Sequence, residues 1–276
     1  MSADLHIHST ASDGSDTPEE IVELAIAKGF NIIAVADHDT VDGIERAVKA
    51  AENKKLEIIP AIEFSTFQDK AEIHILGYFI DYTDKILINK INEIFQARLN
   101  RAKMMIDLLK EQGVKITFNQ VKKMAGDEYI GRPHIAKTMI EKGYIEKMGE
   151  AFTEKYIGNG GKAYVAKYQL TPVDAIKLIK KTGGIPVLAH PVFINHGEAL
   201  VKEDIKTLKK SGLEGIEVFH SKHKKKDSRY YKKVARELNL IITGGSDYHG
   251  DNSPDIELGD IILEDKYVEK LKNSRN

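Results

Sequence analysis

His6 and His8 stand two residues apart in a β-rich run, a spacing that puts both imidazoles on one face of a strand and within reach of one cation. Alone, the pair is weak evidence, because ordinary histidines fall into this pattern and Asp4 could merely orient one ring. The chain then repeats the theme. Asp13 lies in the next loop, Asp37, His38 and Asp39 close a second β-rich run, and Glu63 ends a third. His74 sits in a fourth, His190 follows Ile185–Ala189, and Asp247 with His249 follows Leu240–Thr243. Each residue has a plainer explanation by itself. Asp13 before Gly14 suits a turn, Asp39 suits a helix cap better than a ligand, and His74 between Ile73 and Ile75 suits a satisfied core histidine. Together these explanations require several independent coincidences. The chain has no cysteine, so imidazoles and carboxylates must supply any coordination sphere, a donor set suited to Mn, Fe, Zn or Mg. Clustered cations of this kind lower the pKa of bound water and neutralise phosphoryl oxygens, which is what phosphate ester hydrolysis requires.

Such residues must be carried to one place by a scaffold. The first 80 residues alternate β-rich runs (3–7, 31–36, 56–62) with helical patterns (17–29, 42–53), which predicts βαβ units with parallel pairing. Thr17, Pro18 and Glu20 form a helix-start signature. Glu72–Ile80 reads as a further strand. Thr83–Gly113 has helical periodicity, Thr117 and Gln120 resemble a second capping box, and Pro133–Gly143 and Gly149–Ile157 read as short helices closed by glycine. No β-rich run occurs until about residue 163. The alternation then resumes: Thr171 and Pro172 open a helix, and 185–189, 215–219 and 240–243 read as strands. The fold expected is α/β, a distorted (β/α)7-type barrel with a helical insertion. Its barrel comprises residues 1–82 and 163–276, and its insertion, expected as a lid, residues 83–162. Barrels of this sort gather their active residues at the strand ends.

Composition narrows the setting. A chain of 276 residues with 42% hydrophobic content can bury a large core. Lys and Arg total 41 against 42 Asp and Glu, so net charge gives no case for a protein that coats nucleic acid or a membrane surface. No basic segment precedes an apolar run at the N-terminus, and no stretch of about 18 apolar residues occurs. The expected setting is the cytoplasm, with no membrane and no obligate protein partner.

The motifs Asp4-Leu5-His6-Ile7-His8, Ser12-Asp13-Gly14-Ser15, Ala36-Asp37-His38-Asp39-Thr40, Glu63-Phe64-Ser65, His74-Ile75-Leu76-Gly77-Tyr78, Ala189-His190-Pro191 and Gly244-Gly245-Ser246-Asp247-Tyr248-His249 follow one another in an order and spacing that resembles the polymerase and histidinol phosphatase (PHP) superfamily. Ala36 departs from the threonine often found there. The helical insertion, with Gly131-Arg132-Pro133-His134, resembles the branch that hydrolyses nucleotide phosphates. The resemblance implies three divalent cations: one held by His6, His8, Glu63 and Asp247, a second bridged by Glu63 and held by His74 and His190, and a third held by Asp13, His38 and His249. It implies attack by a metal-bridging hydroxide on a small phosphorylated substrate, a nucleotide or short oligonucleotide.

Outside that set, Arg132 could grip a phosphate bidentately and His134 could add a contact, although both also suit a helix start. In Phe219-His220-Ser221-Lys222-His223, His223 is the preferred leaving-group acid, since imidazole titrates near neutrality. Three other functions fit parts of the pattern: a histidinol-phosphate phosphatase, a noncatalytic metal-binding PHP module, and a hydrolase of carbon–nitrogen bonds. The inserted segment disfavours the first, the full ligand set the second, and the lack of a recognisable carbonyl-activating arrangement the third.

Overall fold

The computed structural model describes residues 2–69, 71–125, 130–168 and 170–275. Its backbone gathers into two compact units, Met1–Asn89 with Gln169–Asn276, and Lys90–Tyr168.

The first unit contains a seven-stranded sheet whose strands lie in chain order: β1 Ala3–Ile7, β2 Ile32–Val35, β3 Glu57–Gln68, β4 Ala71–Tyr78, β5 Ile185–Leu188, β6 Gly215–His220 and β7 Ile241–Gly245. The helices, numbered through the whole chain, are α1 Pro18–Ala27, α2 Asp42–Ala50, α3 Lys85–Glu111, α4 Phe118–Ala125, α5 Arg132–Glu141, α6 Met148–Ala151, α7 Pro172–Lys181, α8 Lys202–Lys210, α9 Lys225–Glu237 and α10 Asp265–Asn273. The sheet curls into a nearly closed barrel because its edges meet. Asp247 N donates to His6 O at 2.9 Å, and His8 N donates to Tyr248 O at 2.9 Å. Gly245 permits this approach, since a Cβ there would stand 2.4 Å from the backbone nitrogen of His6. Parallel strands covered on both faces read as apolar runs, as Ile32–Val35 and Ile185–Leu188 do, and these are buried throughout. β1 differs: Ala3, Leu5 and Ile7 take one face, and Asp4 and His6 the other, all of them buried.

The helix starts follow from local chemistry. Thr17 Oγ1 accepts from Glu20 N at 3.3 Å while Glu20 Oε2 accepts from Thr17 N at 2.8 Å, closing the expected capping box with Pro18 at the first helical position. Thr171 caps α7 in the same way, accepting from Asp174 N at 3.1 Å.

Parallel pairing holds for β1–β2 and β2–β3, but β3 and β4 are antiparallel, and so are β4 and β5. The reason is covalent. Only two residues separate Gln68 from Ala71, far fewer than a parallel crossover needs. The hairpin also extends β3 beyond Glu63, which therefore lies within the strand rather than at its end. Asp39 does not cap α2. It adopts φ 53° and its Oδ1 accepts from Ser65 N at 3.1 Å, while Thr40 Oγ1 receives the amide of Asp42.

The second unit packs α3, α4 and α5 around Met105, Ile106, Leu109, Val121, Ile135 and Met139. Thr117 and Gln120 cap each other's backbone at the start of α4. The helix expected over Gly149–Ile157 shortens to Met148–Ala151. Beyond it the backbone doubles back, with Gly158 N bonded to Thr153 O at 3.0 Å, and a Cβ at Gly158 would stand 2.5 Å from Phe152 O. Among the described residues, no helix is long and apolar enough to cross a membrane.

Candidate metal centre

The cluster is organised around Glu63, a fully buried carboxylate on β3. Its Oε1 lies 3.1 Å from His74 Nδ1 and 3.0 Å from His190 Nε2. Its Oε2 lies 3.3 Å from His6 Nε2, 3.3 Å from His8 Nε2 and 3.2 Å from His38 Nδ1. The hairpin makes part of this possible. His74 pairs with Ser65, two residues from Glu63 on the same face, a diagonal that a carboxylate and an imidazole can bridge. Asp247 Oδ1 approaches His8 Nε2 at 3.2 Å and His6 Nε2 at 3.5 Å. Asp13 faces His249 Nε2 at 3.4 Å, His8 Nδ1 at 3.6 Å and His38 Nε2 at 3.8 Å.

Among the described residues, three groups of donor atoms lie close enough to share a cation: His8, Asp13, His38 and His249; His6, His8 and Asp247; and His38, Glu63 and His74. All nine sequence-predicted ligand residues therefore come together, with His190 joined to the rest through Glu63. His8 and His38 each belong to two of these groups, whereas the resemblance placed each in one.

These atoms are buried without hydrogen-bond partners in number: His6 Nε2, both nitrogens of His8, His38 Nδ1, His74 Nε2, His190 Nδ1 and Glu63 Oε2. Orphaned buried polar atoms cost about 1–3 kcal/mol each, so so dense a concentration requires a compensating partner. Divalent cations fit the all-nitrogen, all-oxygen donor set.

Charge coupling tells the same story. Burial acts to neutralise Glu63, yet His38, His6 and His74 hold its carboxyl well below the usual range. Burial likewise opposes ionisation of Asp247 and Asp13, but the surrounding imidazoles lower both. His8 and His74 are raised to about 10: burial pulls each down, but Asp247 and Glu63 outweigh it at His8, and Glu63 and Glu72 at His74. His38 goes the other way, to about 4, because burial there exceeds the pull of Glu63 and Asp13.

Several supporting residues lie outside the predicted ligand set, and Glu217 among them had no motif to announce it. Glu217 on β6 is fully buried; one oxygen lies 3.0 Å from His6 Nδ1 and the other accepts from His190 N at 2.8 Å. The Nδ1–H of His6 thus donates to Glu217, which leaves Nε2 as the ring nitrogen that faces Glu63 and Asp247. His249 is oriented similarly, with Nδ1 donating to Asp247 O at 2.9 Å. Asp37 gathers Ser9 N, Ser9 Oγ and Ser12 Oγ, each at 2.7 Å, and so fixes the loop before Asp13. Asp4 accepts from Ser246 N and Gly259 N, and burial pushes its carboxyl up to about 6 against the opposing hydrogen bonds of Ser246. Asp247 itself sits at φ 60°, a left-handed conformation unusual outside glycine.

The centre opens into a pocket of about 600 Å³ lined by Asp13, Glu63 and their neighbours, and also by Phe193, Asn195, His220, Lys222, Asn252 and Ser253. His220 Nδ1 accepts from Lys222 N at 3.1 Å, so its Nε2 carries the proton and donates to Asp247 Oδ2 at 3.2 Å. His223 adjoins His220 with ring centroids 5.2 Å apart. Its Nδ1 donates to Val218 O at 3.0 Å, and burial lowers its pKa. Arg132 and His134 belong to the other unit. Arg132 Nη1 donates to Ile157 O and Asn159 Oδ1 at 3.2 and 3.0 Å, and its guanidinium lies over Phe152 and Tyr164. His134 Nδ1 accepts from Gly131 N at 3.1 Å, closing the start of α5.

The chain is similar to known proteins. The chain is 34% identical over 246 residues to a 5′-3′ exoribonuclease of Haemophilus influenzae, covering 89% of each. It is 31% identical over 247 residues to a 3′,5′-nucleoside bisphosphate phosphatase of Chromobacterium violaceum, covering 89% of this chain and 86% of the relative. A crystal structure from Bifidobacterium adolescentis, described as a candidate metal-dependent phosphoesterase, superposes with a TM-score of 0.79 at 30% identity over 98% of this chain and 94% of that one. The family model described as the PHP domain matches residues 4–179, across most of the strands that bear the cluster. This chain belongs to the PHP family and is a metal-dependent phosphoesterase.

Proposed function

We propose that this protein hydrolyses phosphate esters of nucleotides, releasing phosphate from a nucleoside phosphate or a mononucleotide from the end of a short oligonucleotide. The observation that carries the reading is the convergence of five imidazoles on Glu63 within 3.0–3.3 Å, with buried nitrogens left unpartnered. The similarity to an exoribonuclease and to a bisphosphate phosphatase supports the nucleotide as substrate class.

In this reading the centre holds three divalent cations of the Mn, Fe, Zn or Mg type: one on His6, His8, Glu63 and Asp247, one on Glu63, His74 and His190, and one on Asp13, His38 and His249. When bound, such cations supply a water of lowered pKa and cancel charge on the phosphoryl and leaving oxygens. The protein's part is orientation. Glu217 and the carbonyl of Asp247 hold the Nδ1 protons of His6 and His249, so that both Nε2 lone pairs point inward. Lys222, on the pocket wall, adds a cation that attracts the anionic ester. The proton for the leaving oxygen remains assigned to His223, while His220, on the pocket wall, holds Asp247 Oδ2 through its Nε2 proton. Arg132 and His134 remain the assigned substrate contacts of the helical segment, which is assigned the choice of substrate. The protein acts without a membrane or an obligate partner, in the cytoplasm.

The test is product release from nucleoside monophosphates, 3′,5′-bisphosphates, histidinol phosphate and short RNA by chelator-treated protein, before and after Mn²⁺. Restoration by metal on the nucleotide substrates is expected. Turnover confined to histidinol phosphate, or no turnover with metal bound, overturns the reading.

A further inference from the structure

Phe193 is 40% exposed although the loop around it is well tied down. Its amide donates to His190 O at 2.8 Å, and Leu200 N closes the loop onto Pro191 O at 2.9 Å. Tyr231 of α9, nearly fully buried, directs its hydroxyl to both Pro191 O and Leu200 O, at 3.2 and 3.0 Å. The three rings form a ladder. Tyr231 stacks on His223 with centroids 5.9 Å apart and planes 30° apart, and His223 stacks on Phe193 at 6.0 Å and 25°. Both spacings lie within the range of offset aromatic pairs. The middle rung is fixed by the Val218 carbonyl. The top rung belongs to the pocket wall, beside His220 at 5.8 Å, and His220 in turn lies 5.5 Å from His190.

Packing alone does not call for a phenylalanine left open to a pocket otherwise lined by polar and charged side chains. A ligand that satisfies both parts carries an anionic phosphate at one end and a flat aromatic system at the other. We propose that Phe193, backed by His223 and Tyr231, is a stacking platform for the nucleobase of the substrate. The ring is held before the ligand arrives, so little conformational freedom is lost on binding. Every base offers a π-face, so the platform favours nucleotides over base-free phosphate esters while discriminating little among bases.

The inference rests on the nucleotide reading above, and the test separates the two. Mn²⁺-loaded full-length protein is assayed on a nucleoside 3′,5′-bisphosphate and on the matching ribose bisphosphate without a base. In Phe193→Leu the ratio of kcat/KM for nucleotide over base-free ester falls roughly 5- to 150-fold, the loss expected when one base stack is removed, mainly through KM. Phe193→Trp restores the ratio. An unchanged ratio in Phe193→Leu, including equal losses on both substrates, overturns the platform while leaving the phosphoesterase reading intact. Absence of turnover on either substrate by the unaltered protein overturns both.

Discussion

Glu217 Oε1 lies 3.0 Å from His6 Nδ1, and neither side chain is accessible to solvent. The same carboxylate accepts the amide of His190 at 2.8 Å, so one residue of β6 orients a donor on β1 and the loop carrying another after β5. In Glu217→Gln the amide keeps the volume but loses the charge that fixes the imidazole tautomer. The expected result is roughly 10- to 100-fold weaker metal affinity. Competition with a chromophoric chelator measures it, with circular dichroism to confirm the fold. Wild-type affinity in this variant would remove Glu217 from the site's support.

Asp247 and His8 touch the same cluster from opposite edges of the barrel seam. His8→Ala and Asp247→Asn are each expected to reduce turnover to background while the fold persists. Asn is preferred at 247 because it tolerates the left-handed φ of 60° better than Ala does. Steady-state assays with saturating Mn²⁺, run beside melting curves, decide it. Full activity in either folded variant contradicts the ligand assignment.

Acid–base linkage gives the metal-free protein a distinctive profile. His8 and His74 titrate near 10 in the folded state against 6.5 for a free imidazole. Their folded pKa values are raised, so the stability they contribute is complete below about pH 6.5 and is lost as pH rises towards 10. The chelator-treated protein is therefore expected to melt at progressively lower temperature across that window. Cations take the place of those protons, so added Mn²⁺ should stabilise more strongly as pH increases. Melting temperatures at several pH values, with and without metal, check the sign. A metal-free protein that becomes more stable from pH 7 to 10 rules the coupling out.

Much of this centre was legible because its ligands sit in short motifs at strand ends, where His6 and His8, Asp37-His38-Asp39 and Asp247 with His249 are separated by recognisable βα alternation. What was not legible is long-range. The resemblance already placed Glu63 between two cations, but its contact with five imidazoles depends on how the strands pack. Glu217 is a single acidic residue in a β-rich run, indistinguishable in sequence from a solvent-facing one until burial is known. The reversal of β4 follows from the extension of β3 past Ile62 to Gln68, which the sequence did not mark, and the surrounding βα alternation argued for a parallel strand. Asp39 was misweighted towards capping because cap preferences concern residue type, whereas its role follows from a left-handed backbone that aims it at Ser65.

Gly245 meets β1 so closely that any side chain must push the seam apart, with a new Cβ 2.4 Å from both His6 N and His6 Cβ. Gly245→Ala is expected to destabilise by about 1–3 kcal/mol, the usual cost of overpacking a filled interior. Urea unfolding measures the loss. A variant within about 0.5 kcal/mol of the parent would show that the seam yields freely.

The barrel closes by joining residue 6 to residue 247, so its two outermost strands meet across nearly the whole sequence. Contacts of such separation are slow to form, and chains are made from the N-terminus at about 5–20 residues per second. On the ribosome, His6 and His8 emerge early and wait for Asp247 and His249, which come last. No partly made chain can assemble the full cluster, so hydrolytic competence arrives in one step, after synthesis has passed β7.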